Sequence, residues 1–301
     1  MFDDRIINIL LSLYYCLRKN LFKFIFGNPD HKPWTLSLYN AMNGTDYTDP
    51  EAIQFNTIGD AVYMRMKNDI SFIVAFEMNL WEHQSTYNPN MPMRFFIYAG
   101  RLYEKYIAAS EYYQYSSTLQ PVPAPVCVCF YNGKKEQPET QVLKLSDAYG
   151  GDGDIEVRVT MRNINYGQSH RLMESCAPLR EYAWLVDAVR RNQDETMDLD
   201  AAVDRALDEM PDEYVIKTFL LENRAEVKSM FLTEYNEEKV MEQERKEGYK
   251  EGHEEGQNKR NQEVATDMLQ DGEPLEKIKK YSKLSEESVR NLAKSLGIVV
   301  M

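Results

Sequence analysis

The chain has 301 residues, a length that suits one domain of catalytic size with additional segments. Hydrophobic residues make up 43% and aromatic residues 12% of the chain, which is enough to build a sizeable core and excludes wholesale disorder. The formal net charge of −13 is unfavourable for nucleic-acid binding, since phosphate contacts need Lys and Arg. Most of the acidic excess lies after residue 190. Residues 191–301 include 27 acidic and 17 basic residues, whereas residues 1–190 include 21 acidic and 18 basic ones.

Cysteine use and the lack of a long apolar segment indicate a cytoplasmic protein. The four cysteines, Cys16, Cys127, Cys129 and Cys176, are too few over this length for a disulfide framework. Cys127 and Cys129 form a C-x-C within a strand-like run, without the second Cys/His pair of a zinc site. The apolar run from Ile6 to Leu17 is too short to span a bilayer, so we expect a helical segment over residues 1–20 and no membrane partner.

Apolar periodicity predicts alternating strands and helices up to residue 192. An apolar run over Phe22–Phe26 ends at Gly27. The elements predicted after it are a helix over Trp34–Met42, strands over Ala61–Met64, Ile70–Val74 and Asn79–Glu82, a helix with Phe95, Tyr98, Leu102 and Tyr106 on one face, strands over Val126–Tyr131 and Ile155–Met161, and a helix over Arg171–Arg191. This order predicts an α/β domain over residues 21–192, with a central mixed sheet flanked by helices.

After residue 192 the sequence is helical throughout. A short helix over Leu199–Met210 precedes a long charged one that runs from about Asp212 toward Gln270. We therefore predict a helical region over residues 193–262 and a small module over 263–301. Two short helices in that module, around Leu275–Tyr281 and Ser285–Leu296, resemble a helix-turn-helix unit. A DNA-docking role and a structural hairpin that assembles a homo-oligomer are both open.

Two carboxylates fall at opposite ends of a predicted hairpin. Asp69 precedes one strand, and folding about the midpoint between Ala75 and Phe76 places it opposite Glu82 on the next. Gln84 then shares the face of Glu82, because strand side chains alternate with a period of two. Carboxylate oxygens are the ligands that Mg²⁺ prefers, so the hairpin predicts a site for Mg²⁺ or another divalent cation that can activate water.

Two alternatives compete with this interpretation. Asp60 precedes a good strand, and a turn at Asn68-Asp69 would set it against Glu77 instead. These acids could also merely solvate the ends of strands, because an Asp and a Glu-x-Gln at this spacing occur in many hairpins by chance.

A longer run of residues is more specific than the spacing of the acids. The segment Glu82–Thr86 reads E-H-Q-S-T, and Pro92, Arg94 and a Tyr-rich helix follow it. Together these resemble the Rpn family of recombination-promoting nucleases and putative transposases, which belongs to the PD-(D/E)XK nuclease superfamily. Further segments resemble parts of that family: Leu21–Phe24, Lys67–Asp69, Arg101–Glu104 and Phe130–Gly133.

The resemblance implies a PD-(D/E)XK core and a metal-dependent DNA endonuclease, linked to recombination or mobile elements. Asp69 and Glu82 would then be metal ligands, and Gln84 would stand where the superfamily has lysine. A neutral amide cannot supply the charge of lysine, so either the activity is slower or another base, Lys67 or Arg94, assists. His83 would point to the opposite face of the strand and be structural, although histidine is a competent general base. The alternative is a catalytically inactive protein that keeps the fold as a DNA-binding or assembly module.

Overall fold

The computed structural model describes residues 20–56, 69–113, 115–151, 153–193 and 197–298. The predicted strand Ala61–Met64, and with it Asp60 and Lys67, lies outside these residues, as does the predicted segment 1–20 apart from Asn20. The described strands are β1 (Gln54–Phe55), β2 (Ile70–Val74), β3 (Glu77–Gln84), β4 (Ala124–Tyr131), β5 (Thr140–Lys144) and β6 (Arg158–Asn163). The described helices are α1 (Leu21–Phe26), α2 (Lys32–Asn43), α3 (Met91–Ala109), α4 (Ser146–Tyr149), α5 (His170–Ser175), α6 (Ala177–Asn192), α7 (Leu199–Glu209), α8 (Lys217–Glu222), α9 (Arg224–Gln270), α10 (Leu275–Ser282) and α11 (Glu286–Ser295).

The strands form one mixed sheet in the order β1-β2-β3-β4-β6-β5. β1 is antiparallel to β2, and β2 is antiparallel to β3, whereas β4 runs parallel to both β3 and β6. β5 closes the far edge antiparallel to β6. The protein is therefore an α/β protein with a six-stranded mixed sheet flanked by helices, and the carboxyl ends of β3, β4 and β6 lie at one edge.

A two-residue turn fixes the register of the β2–β3 hairpin. Ala75 and Phe76 both have positive φ, 49° and 63°, which is the backbone twist that joins two adjacent antiparallel strands most directly. Val74 pairs with Glu77 and Ile70 with Trp81, the register that the sequence predicts. The rival register is wrong, because Glu77 directly follows this turn and is paired with Val74.

The sheet carries a separate apolar core on each face. On one face Trp81 and Phe130 pack with Phe22 of α1 and with α2 and α6. On the other face Met78 and Leu80, together with neighbours from β4 and β6, pack against α3, where the predicted one-face stripe of Phe95, Tyr98 and Leu102 is buried. Odd-numbered β3 side chains thus enter the first core, and even-numbered ones face α3.

The helices α7 and α8 and the first turns of α9 pack on the first core. Val203 of α7, Leu220 of α8 and Val227 of α9 are fully buried in the same apolar cluster as Phe22. The long helix predicted from about Asp212 is interrupted, since α8 ends at Glu222 and α9 begins at Arg224. The chain divides into two compact units after Tyr235, so the predicted boundary at residue 192 does not coincide with this division.

Within the described residues, no helix is both long enough and apolar enough to cross a membrane.

A close backbone approach requires glycine at position 133, just after β4. A Cβ there would lie 2.7 Å from the Tyr131 ring carbon Cε2 and closer still to the Ser85 carbonyl oxygen. Because Ser85 directly follows Gln84, the loops after β3 and β4 are in contact at this point. Gly133 thus keeps the carboxyl ends of the two central parallel strands together.

We expect Gly133→Ala to destabilise the protein by about 1–3 kcal/mol, because the added methyl group forces the two loops apart. Urea unfolding at equilibrium measures this change. Gly100→Ala is the matched control: a Cβ at Gly100 of α3 meets no neighbouring atom, so alanine should stabilise the helix by about 0.5–1 kcal/mol. Equal effects of the two substitutions would contradict the close approach at Gly133.

Candidate functional site

Asp69 and Glu82 lie side by side at the carboxyl end of β3. The backbone N–H of Asp69 donates to Glu82 Oε1 at 3.0 Å, and the backbone N–H of His83 donates to Asp69 Oδ2 at 2.9 Å. Each carboxylate is therefore held by the strand that carries the other. Adjacent strands of one hairpin thus bring the two acids together, as their placement in the sequence predicts.

Arg94 of α3 completes an ion pair with the buried carboxylate. Its Nη2 donates to Glu82 Oε2 at 3.0 Å and to the Tyr98 hydroxyl at 2.9 Å, and its Nε donates to the same hydroxyl at 3.2 Å. Arg94 and Tyr98 are four residues apart, so they occupy one face of the helix. The side chain of Glu82 is 3% exposed and that of Arg94 37%, so the guanidinium reaches from solvent to the buried acid.

Burial and like charge dominate the electrostatics of the pair. Burial foremost, and then the negative charge of Asp69, raise the pKa of Glu82 to about 8, although Arg94 and Lys23 of α1 act in the opposite direction. The Glu82 carboxylate in turn raises the pKa of Arg94 further above its ordinary value, although burial acts in the opposite direction. Burial also raises the pKa of Tyr98 well above its ordinary range, so its hydroxyl stays protonated.

Gln84 adds an amide oxygen next to the acids. It is two residues beyond Glu82 on the same strand and faces α3, where its Nε2 lies 2.6 Å from Met91 Sδ. Its Oε1 is buried and has no hydrogen-bond partner within the described part of the chain. A buried oxygen that accepts no hydrogen bond is unusual in a folded protein. Its lone pairs are available to a ligand such as a cation.

His83 lies on the opposite face of the sheet, as the sequence predicts. Its ring stacks on Phe22 with centroids 5.4 Å apart, and its Nε2 lies 2.9 Å from the Tyr182 hydroxyl. Asn132 Nδ2 donates to that hydroxyl at 2.8 Å. His83 is thus held by Tyr182 and Phe22 and anchors the strand from the face opposite Glu82.

The remaining predicted residues do not join the pair. Glu77 sits at the turn end of the hairpin and accepts a hydrogen bond from the Tyr39 hydroxyl at 2.9 Å. Asp60 and Lys67 lie outside the described residues. Sequence reasoning missed Tyr98 as a partner of Arg94, although their one-turn spacing on α3 could have indicated it.

Several cations border the site at the edge where the parallel strands end. Lys23 acts on Glu82 from α1, as its effect on the pKa of that acid indicates. Lys135 follows β4 and lies over the Tyr87 ring, 5.6 Å from its centroid. Arg190 of α6 donates to Asn165, just beyond β6, at 3.0 Å. Ligands of α/β proteins commonly bind beyond the carboxyl ends of parallel strands, and a ligand at this edge would lie on the same side of the sheet as these three cations.

Comparisons of this chain with protein-family models, with curated proteins and with solved structures find no match. Within the described residues, no group of three or more His, Cys, Asp or Glu side chains could hold a metal ion. A cation held by the carboxylate pair would have the oxygens of Asp69 and Glu82 as donors, with the amide oxygen of Gln84 on the same face of the strand as Glu82.

The raised pKa of Glu82 predicts a specific pH dependence of stability. Since its folded pKa of about 8 exceeds the ordinary 4.5, the folded protein holds a proton that the unfolded chain releases. The resulting stabilisation is complete below about pH 4.5 and is lost as the pH rises through about 8. Between about pH 6 and pH 9 in EDTA, the wild type should lose about 2 kcal/mol more stability than Glu82→Gln, by urea unfolding.

The control for this prediction is Glu104→Gln, which removes one carboxylate from the exposed face of α3 and leaves the pair intact. Its loss of stability over the same pH range should match that of the wild type. A wild type and a Glu82→Gln variant with the same pH dependence would show that burial does not perturb this acid.

Proposed function

We propose that this protein is a nuclease of the PD-(D/E)XK type that hydrolyses phosphodiester bonds of DNA with a divalent cation such as Mg²⁺. The observation that carries the proposal is the placement of Asp69 and Glu82 on adjacent strands, in contact, with Gln84 on the same face. The Rpn-like residues around them favour a role in recombination or at mobile elements. The cations at this edge of the sheet support a polyanionic substrate in spite of the net charge of −13.

The residues present suit a hard cation. Asp69 and Glu82 contribute carboxylate oxygens, and Gln84 contributes the buried Oε1 that has no hydrogen-bond partner in the described part of the chain. An all-oxygen donor set is the one that Mg²⁺ and Mn²⁺ prefer over a softer metal. Such a cation would lower the pKa of a bound water and polarise the scissile phosphate.

Arg94 supplies the positive charge that Gln84 lacks. Within the described part of the chain, the Met91 sulfur, at 3.5 Å, is the one hydrogen-bond partner of its Nη1, while Nη2 is held by Glu82 and Tyr98. A sulfur acceptor at that distance is weak, so this nitrogen keeps donors for an anion. We assign Arg94 to hold a non-bridging phosphate oxygen of the substrate, with Tyr98 and Glu82 fixing the plane of the guanidinium.

The test of the nuclease is nicking of supercoiled plasmid in the presence of Mg²⁺. Asp69→Asn and Glu82→Gln should each slow nicking by at least about 100-fold, because each removes a charge that the reaction needs. Asp147→Asn and Glu104→Gln are the matched controls. They make the same chemical changes at exposed acids of the same unit, and their nicking rate should stay within about twofold of the wild type.

Arg94→Gln separates two effects of the guanidinium. The substitution removes the cation that occupies Glu82 Oε2, so the apparent affinity for Mg²⁺ should rise, as measured by isothermal titration calorimetry. Nicking should nevertheless fall by about 10-fold or more, because a charge-assisted contact to the phosphate is lost.

The control is Arg171→Gln, at an exposed residue of α5. It should change neither the affinity for Mg²⁺ nor the nicking rate. Unchanged nicking by Arg94→Gln would assign Arg94 to structure alone and would overturn its role at the phosphate.

A second candidate function is a catalytically inactive protein that keeps this fold to bind DNA or to assemble. The observation that favours it is the ion pair itself: one oxygen of Glu82 is already occupied by Arg94, and Gln84 carries no charge. The plasmid assay distinguishes the two candidates. Equal residual nicking by the wild type, Asp69→Asn and Glu82→Gln would identify contamination and favour the inactive protein.

A further inference from the structure

The second compact unit contains three helices with a core of their own. The last turns of α9 contribute Ala265 and Leu269, α10 contributes Ile278, and α11 contributes Val289 and Ala293, all of them buried. The connection from α9 to α10 is tight: Gly272 adopts φ 71°, and the N–H of the next residue bonds back to the carbonyl of Met268 at 3.0 Å. The three helices thus form a small packed unit.

The connection between α10 and α11 is a three-residue turn. Lys283 adopts the left-handed conformation, φ 57°, and its N–H donates to the Lys279 carbonyl at 3.0 Å, which ends α10. Ser285 then caps α11, since its hydroxyl accepts the backbone N–H of Ser288 at 3.1 Å. Two helices joined by three residues, with one left-handed residue in the turn, have the connection of a helix-turn-helix motif.

The outer face of α11 is polar and carries side chains that read bases. Arg290, Asn291 and Lys294 are exposed, on the side of the helix away from the buried Val289 and Ala293. Arginine and asparagine are the side chains that make paired hydrogen bonds to guanine and adenine in the major groove.

The unit also presents cations that its own acids do not neutralise. Lys280, Lys283 and Lys294 form no ion pair with the described residues. Lys277 and Lys279 are paired with Glu273 and Glu276, and Arg290 is paired with Glu286 at 2.9 Å. Among the described residues, the exposed face of α11 carries no large apolar side chain, and the exposed Leu296 follows the helix. The three unpaired lysines supply positive charge for a polyanion. The exposed ion pair between Arg290 and Glu286 is of a kind that contributes little to stability, so a phosphate or base can replace Glu286 as the partner of Arg290.

We propose that this unit is a DNA-reading helix-turn-helix, in which α11 enters the major groove of duplex DNA and Arg290, Asn291 and Lys294 contact base edges or phosphates. The inference shares with the proposed function only the assumption that the ligand is DNA. It assigns a second binding site, separate in the chain from the carboxylate pair.

The experiment selects binding sequences from a pool of random duplexes of about 30 base pairs, roughly three helical turns. The full chain is used in EDTA, so that metal-dependent cleavage does not consume the pool. The wild type should enrich a short common sequence. The triple variant Arg290→Ala, Asn291→Ala and Lys294→Ala should enrich none and should bind the selected duplex at least about 10-fold more weakly.

The matched control is Lys277→Ala with Lys279→Ala, which also removes two positive charges from the unit but from α10. It should enrich the wild-type sequence, with binding weakened by only a few fold. Arg290→Lys guards against misfolding of the triple variant, because it keeps the charge but cannot form the paired contacts of arginine. This variant should bind duplex DNA and lose the preference at one base.

Three outcomes would overturn the inference. In the first, the wild type enriches no common sequence. In the second, the triple variant enriches the same sequence as the wild type. In the third, the triple variant sediments differently from the wild type but binds DNA equally well, which would assign the face to self-assembly. Plasmid nicking in Mg²⁺ by the wild type keeps the two proposals apart. Nicking without sequence selection removes only the helix-turn-helix, and sequence selection without nicking removes only the nuclease.

Discussion

The burial of the Glu82 carboxylate is the constraint on which the site depends. A buried carboxylate is costly unless it is paired and hydrogen-bonded, and this one is held by the backbone of Asp69 and by the guanidinium of Arg94. Both contacts require the β2–β3 register, since a slip by one residue would turn Glu82 to the opposite, apolar face. The turn at Ala75 and Phe76 therefore determines the positions of the two acids, each about six residues away along its strand.

The sequence predicts this part of the molecule well because its determinants are local. A hairpin with a two-residue turn has its register set by the position of that turn, so the pairing of Asp69 with Glu82 follows from the placement of the strands. The amphipathic period of α3 similarly determines which of its residues face the sheet. The opposite orientation of His83 follows from strand alternation alone.

The rest could not be predicted because it depends on tertiary contacts or on single backbone angles. The short edge strand β5 has too little apolar alternation to be recognised, since Val142 is exposed and only Leu143 is buried. The helix predicted over Arg171–Arg191 is divided because Cys176 adopts an extended conformation, φ −133° and ψ 95°, before Pro178 opens α6. The packing of α7 and α8 onto the first core and the bond between Tyr182 and His83 join segments far apart in the sequence.

The charges around the carboxylate pair connect its structure to its proposed substrate. When Glu82 is ionised, as a bound cation would require, Asp69 and Glu82 contribute two negative charges and Arg94 and Lys23 two positive ones, so the protein groups nearly cancel. With its charges balanced, such a site attracts a phosphodiester only weakly. A divalent cation would leave it with a net positive charge, and field strength is greatest where water is excluded, as it is around Glu82. DNA affinity at this edge of the sheet would then depend on the cation, although the chain as a whole is acidic.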